Sequence, residues 1–267
     1  MDTVLIKQQL RQIANMLLLN GTITDCPGLV HGKTGIAVFF FTYAQYADKE
    51  LFEDYAMDLI TEIHSQIHNK SLADYERGIA GIGVGVNYLI QNEFLAPEGN
   101  TLRDFDELMY RAVMYEPWQN FSFYEGLVGY GRYWITRLNH QAASEKAKEC
   151  LDRILELIEE KLLIIPIAEQ TDVYCFLHDI HHISGFADIF KKCNNWDLSY
   201  PRFGNSTIGN IVRESIQNNL TKIENFQSDL DFEQPPTDMG LINGYAGEGM
   251  LRLSAINITN LSWMNLL

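Results

Sequence analysis

Gly78-Ile79-Ala80-Gly81-Ile82-Gly83 opens an apolar run that continues through Val84 to Ile90. A helix that is apolar on nearly all sides is buried on all sides. Its glycines cost helix stability, about 1 kcal/mol each relative to alanine. They are tolerated where a helix begins or where a neighbouring helix must approach closely. The same small-residue spacing, G-x-x-G-x-G/A, recurs at Gly32–Ala37, Gly126–Gly131 and Gly244–Gly249, with a weaker copy, His182-Ile183-Ser184-Gly185-Phe186-Ala187. The five starts lie 46, 48, 56 and 62 residues apart. One such motif has no diagnostic value, but five at a slowly varying period mark a repeat architecture.

Between the copies the pattern changes. In Leu51–Ile67, Phe52, Tyr55, Ala56, Leu59, Ile63 and Ile67 share one face, opposite Asp54, Asp58, Glu62 and Gln66. In Ala147–Leu163, Leu151, Ile154, Leu155, Ile158 and Leu162 form a stripe among charged residues. Leu5–Leu19 and Ile208–Ile223 show the same 3.6-residue period. These read as half-buried outer helices. Leu162–Ile167 is the one β-like run. The sequence therefore predicts an all-α fold: an α/α toroid of about five inner and outer helix pairs, in one domain over residues 1–267. In that topology the inner helices run parallel and gather their N-termini at one rim. Their unpaired N–H groups and partial positive charge make that rim a natural seat for an anion or a peptide carbonyl.

Composition narrows the function. The chain of 267 residues carries 35 acidic and 20 basic residues, a formal charge of −15. That argues against nucleic acid, since phosphate contacts need clustered Lys and Arg, and it favours a basic partner. Gln8, Gln9, Arg11 and Gln12 interrupt the apolar start, so it does not read as a signal peptide. No membrane span is expected. The four cysteines form no CxxC pair and read as free thiols, making the cytoplasm the default location.

At these motifs the chain resembles the lanthionine synthetase C-like (LanC-like) family. Gly28-Leu29-Val30-His31-Gly32-Lys33-Thr34-Gly35-Ile36 is similar to the family's first repeat and Gly78–Leu89 to its second. Glu125–Tyr133 is similar to its third, and Gly240-Leu241-Ile242-Asn243-Gly244-Tyr245-Ala246-Gly247 to its closing repeat. The resemblance spans roughly residues 4 to 267. It implies a peptide-modifying cyclase that adds a cysteine thiol across a dehydroamino acid, using zinc held by two cysteines and a histidine. Zinc would supply the thiolate nucleophile. The chain departs from the family in three ways. It shows five helix pairs rather than seven. It lacks the G-W-C-x-G and C-H-G strings that carry the zinc ligands. Ser122 stands where the family has an acid, with Glu125 nearby.

Cys175-Phe176-Leu177-His178-Asp179-Ile180-His181-His182 is the densest polar cluster. His181 and His182 are the candidate catalytic residues: by the resemblance, His181 takes the place of the family's general acid. Asp179 would orient an imidazole. His31, Arg132, Glu125 and His178 are the candidate binding residues. His31 is also read as fixing its turn, Lys33 as solvated surface charge, and Glu248 as a carboxylate favoured by a helix dipole. No metal or other cofactor is expected; Cys175 and His178 are the only ligands the sequence offers a zinc ion. The expected partner is a peptide substrate or precursor peptide. A gapped ring would expose apolar inner surface and favour a homodimer. The alternatives are a glycosidase-like enzyme using Glu125 with Asp179 or Glu248, and a noncatalytic peptide-binding scaffold. If the chain is an enzyme, a lanthionine-synthetase-like cyclase is the first expectation.

Overall fold

The computed structural model describes residues 3–96, 101–140, 142–183, 185–186, 188–193, 195–196, 198, 208, 238–256 and 261–267. Among them the protein is all-α. There are nine α-helices: α1 (Thr3–Asn20), α2 (Lys33–Ala47), α3 (Glu50–Gln66), α4 (Ile79–Gln91), α5 (Arg103–Met114), α6 (Leu127–Arg137), α7 (Ser144–Lys161), α8 (Ile167–His181) and α9 (Tyr245–Ile256). Short 3-10 turns cover Phe190–Cys193 and Ser262–Leu266. The β-like run ends as a turn, and Pro166 then caps α8. The expected outer helix over Ile208–Ile223 falls almost wholly outside the described residues.

The chain forms two compact units. Unit 1 holds residues 1–68 and 205–267, and unit 2 holds residues 69–204. In unit 1, α2 is buried at every position from Lys33 to Ala44. Outer helices α1 and α3 bury one stripe each: Ile6, Leu10, Ile13, Ala14 and Leu17 on α1, and Phe52, Ala56, Leu59 and Ile63 on α3. The last turn docks back on α9, with Trp263 buried and its indole N–H donating to Ser254 Oγ at 2.9 Å. In unit 2, α4 and α6 are buried over most of their length, while α5 and α7 bury one stripe each. A buried network joins α5 to α6: Arg137 donates from Nε to Asp106 Oδ1 and from Nη2 to Oδ2, both at 2.8 Å, and the Tyr133 hydroxyl donates to Oδ1 at 2.6 Å.

The third small residue of each motif is where the inner helices meet. A Cβ at Gly249 on α9 would fall on the Phe39 ring of α2. One at Gly83 on α4 would fall on Tyr133 of α6, and one at Gly131 on α6 would fall on Phe176 of α8. The rule is an aromatic seven residues after one N-cap glycine seated on a glycine five residues after another.

That rule corrects the fourth repeat. Helix α8 ends at His181, and the described residues His182, Ile183, Gly185 and Phe186 open no helix. Counting back seven residues from Phe176 gives Glu169, which lies inside α8, three residues past its N-cap Pro166, with Asp172 in the place of the second glycine. The fourth inner helix thus keeps the glycine–aromatic contact but begins earlier relative to it than the other three.

Candidate functional site

Four helices begin behind loops of identical construction, residues 26–32, 72–78, 120–126 and 238–244. In each, the amide at the start of the helix donates to a carbonyl seven residues earlier. Lys33 pairs with Cys26, Ile79 with Leu72, Leu127 with Asn120 and Tyr245 with Asp238, at 2.8–3.2 Å. Thr34, Ala80 and Ala246 repeat the offset one residue on. The fourth loop position is a buried anchor: Leu29, Tyr75, Phe123 or Leu241, each at most 1% exposed. At the seventh, a Cβ on Gly32 or Gly78 would collide with the carbonyl of its own loop's first residue, which is why glycine stands there. The first one or two amides of each of these helices are thus capped by the backbone of their own loop, which leaves fewer N–H groups for an anion than the sequence suggests.

The loops also pair with one another. In unit 1, Leu241 N–H donates to the Val30 carbonyl at 2.7 Å. In unit 2, Tyr75 N–H donates to the Tyr124 carbonyl at 2.8 Å in the same register. No such loop precedes α8, and its carboxylates take over the role: Asp172 Oδ2 accepts from Phe123 N–H at 2.8 Å and Glu169 Oε2 from Phe121 N–H at 2.7 Å.

His31, Arg77, Glu125 and Asn243 share the sixth loop position, which faces outward. In unit 1, His31 Nδ1 lies 2.9 Å from Asp238 Oδ2, so it ties two loops together. Lys33 is not solvated: it is 4% exposed and bound to Glu62 Oε2 at 2.6 Å. Glu248 is buried and paired with Arg252 Nη1, which leaves it no carboxylate free for glycoside chemistry.

In unit 2, Arg132 meets Asp179 at 3.7 Å. His178, His181 and His182 do come together, with ring centroids 4.9 Å apart for His178–His182 and 5.4 Å for His181–His182. They gather around Phe190, on which His181 stacks, and Asp188 Oδ1 lies 3.4 Å from His181 Nδ1. This cluster ends α8, twelve residues past Glu169. At 1.5 Å per residue it lies about 18 Å along the helix from the capping loops. His181 therefore closes α8 and does not stand just ahead of a helix, as the His of its repeat copy would.

The cysteines do not fit a zinc site of two thiolates and an imidazole. Cys150 and Cys193 are buried, and burial pushes both thiols up, Cys193 to about 11. Cys26 Sγ lies 3.4 Å from the Gly28 amide, within its own capping loop. Among the described residues no three His, Cys, Asp or Glu side chains converge.

One concavity in unit 2 is a cleft of about 470 Å³ at the loop before α4, within the size range of ligand sites. Asp74, Glu76, Arg77, Trp118, Glu125 and Tyr130 line it, with Leu108, Arg111 and Ala112 of α5. Asp74 Oδ1 accepts the amides of Arg77 at 2.7 Å and Gly78 at 3.0 Å. Burial raises the Asp74 carboxyl above its ordinary value, with Glu76 adding to the effect. Burial, and then the charge of Asp74, push the Tyr130 phenol up to about 12. Perturbed groups in a cleft are the physical mark of a functional site. Of these residues the sequence reading finds only Glu125. Aligning the four loops gives the missing signal, because Asp74 stands where the others have Gly28, Ser122 and Gly240. Among the described residues no helix is long and apolar enough to cross a membrane. Compared with protein-family models and with curated proteins, the sequence matches none.

Proposed function

We propose that this chain is a LanC-like protein that binds a peptide in the unit 2 cleft and does so without zinc-assisted thiol chemistry. One observation carries the reading: a cleft of peptide side-chain size is built on the capping loops and combines an exposed indole with fixed carboxylates. Trp118 is 54% exposed, and a large aromatic at a concave, charged wall is what binding hot spots are made of. The resemblance in the first three loops and the last supplies the link to peptide modification. The poor fit of the thiols favours binding over cyclisation. The test is a selection from a displayed random dodecapeptide library on the full chain, followed by fluorescence anisotropy with the selected peptides. Trp118→Ala, a change at an exposed position, is expected to weaken binding about tenfold or more. Selected peptides indifferent to Trp118→Ala, or a selection that enriches nothing, would overturn the reading.

A further inference from the structure

The charges lining the cleft are unequally matched. Four carboxylates (Asp74, Glu76, Glu116 and Glu125) face two guanidinium groups, those of Arg77 and Arg111. Arg77 reaches Glu76 at 3.4 Å, and Arg111 reaches Glu116 at 4.0 Å. Asp74 uses Oδ1 for the two loop amides, and its Oδ2 has no hydrogen-bond partner among the described residues. The Glu125 carboxylate likewise has none. An excess of two negative charges thus lines one cavity.

Tyr130 points independently to a ligand. It is only 4% exposed and lines the cleft, yet its hydroxyl makes no hydrogen bond among the described residues. The ring is buried but the hydroxyl itself is not, so it is open to a ligand that enters the cleft. Its neighbour in charge is Asp74, whose own ionisation is opposed by burial. A cation entering here would compensate Asp74 and Glu125 together. Trp118 offers an aromatic face at the mouth. A guanidinium group stacks on such a face and presents a planar fork of donors to carboxylates, whereas an ammonium is a compact point charge.

We infer that the cleft receives an arginine side chain of a basic peptide, held between Asp74 and Glu125 with its donors also reaching the Tyr130 hydroxyl and its plane against Trp118. This rests on the peptide-binding reading above, but it adds a charge requirement that can fail separately. The probes are Nα-acetylarginine amide and a fluorescein-labelled Gly-Leu-Arg-Leu-Gly amide, each compared with its citrulline counterpart, which has the same shape and no charge. The full chain is titrated by saturation-transfer NMR for the small amides and by anisotropy for the peptides. The expected result is that arginine probes bind about tenfold or more tighter than citrulline probes. Glu125→Gln should cut that preference to about threefold or less. Tyr130→Phe loses no hydrogen bond of the fold and should weaken the arginine probes alone. Equal binding of arginine and citrulline peptides overturns the charge requirement and leaves peptide binding standing. Binding of the arginine amide with no gain from the longer peptide overturns the peptide reading and leaves the cation pocket. Failure of all four probes overturns both.

Discussion

Asp172→Ala tests whether a side chain has replaced a missing loop. In the other loop contact of unit 2, the Tyr75 amide donates to the backbone carbonyl of Tyr124. At the α6–α8 junction the acceptor for Phe123 N–H is Asp172 Oδ2, 2.8 Å away and buried. Phe123 is 1% exposed, so water cannot reach that amide in the folded protein. Truncation to alanine leaves a buried donor unsatisfied, which costs about 1–3 kcal/mol, and a charged acceptor places the loss in the upper part of that range. Taking about 2 kcal/mol, and about 2–4 °C per kcal/mol for a chain of this size, Tm should fall by about 4–8 °C. Asp172→Asn keeps a carbonyl oxygen at the same reach and should lose less than half as much. Thermal unfolding by circular dichroism gives the global value. Amide hydrogen exchange at Phe123 gives the local one, with faster exchange expected in the alanine variant and near-native exchange in the asparagine variant. A Tm unchanged in Asp172→Ala would refute the replacement argument. So would an asparagine variant as unstable as alanine, because charge rather than hydrogen-bond acceptance would then be at work.

Two further outcomes follow from packing and burial. Gly131→Ala sets a methyl group on the Phe176 ring. It should destabilise by about 1–3 kcal/mol despite alanine's better helix propensity, with Phe176→Leu in the same chain restoring part of the loss in a denaturant titration. With a thiol-specific chromogenic disulfide at neutral pH, the half-buried Cys26 and Cys175 should react in the native protein while Cys150 and Cys193 stay silent. The thiolate is the reactive form, and burial raises both silent thiols. All four should react in guanidinium chloride, and rapid reaction of more than two in the native state would contradict this packing.

The alternation of inner and outer helices was legible because the two kinds bury different fractions of their circumference. Phe39, Phe40 and Phe41 in succession can only belong to a helix buried on every side. The stripe of Leu151, Ile154, Leu155 and Ile158 among charges belongs to one buried on a single side. Helix α5 was not placed individually, because its buried face includes Asp106, a residue that reads as solvent-facing until Arg137 and Tyr133 are seen around it. Lys33 and Glu248 misled for the same reason: a charged residue enters a core when a partner arrives with it, and Glu62 lies 29 positions from Lys33. The His178–His182 cluster was legible as a group, because residues three and four apart share a helix face. Its place along the chain's architecture was not.

By itself the sequence determined the helical class, the repeat and the positions of four capping loops, because glycine spacing and apolar periodicity are local consequences of how a helix begins and what it buries. Only the tertiary structure decided what those loops do. Their backbone carbonyls accept from the helix amides seven residues on, so fewer of those amides are left for a ligand than glycine spacing suggests. It also decided where the fourth repeat starts. Glu169-x-x-Asp172 does the work of a loop with two carboxylates, a substitution that no spacing rule reveals, because the amides they satisfy belong to Phe121 and Phe123 almost fifty residues away.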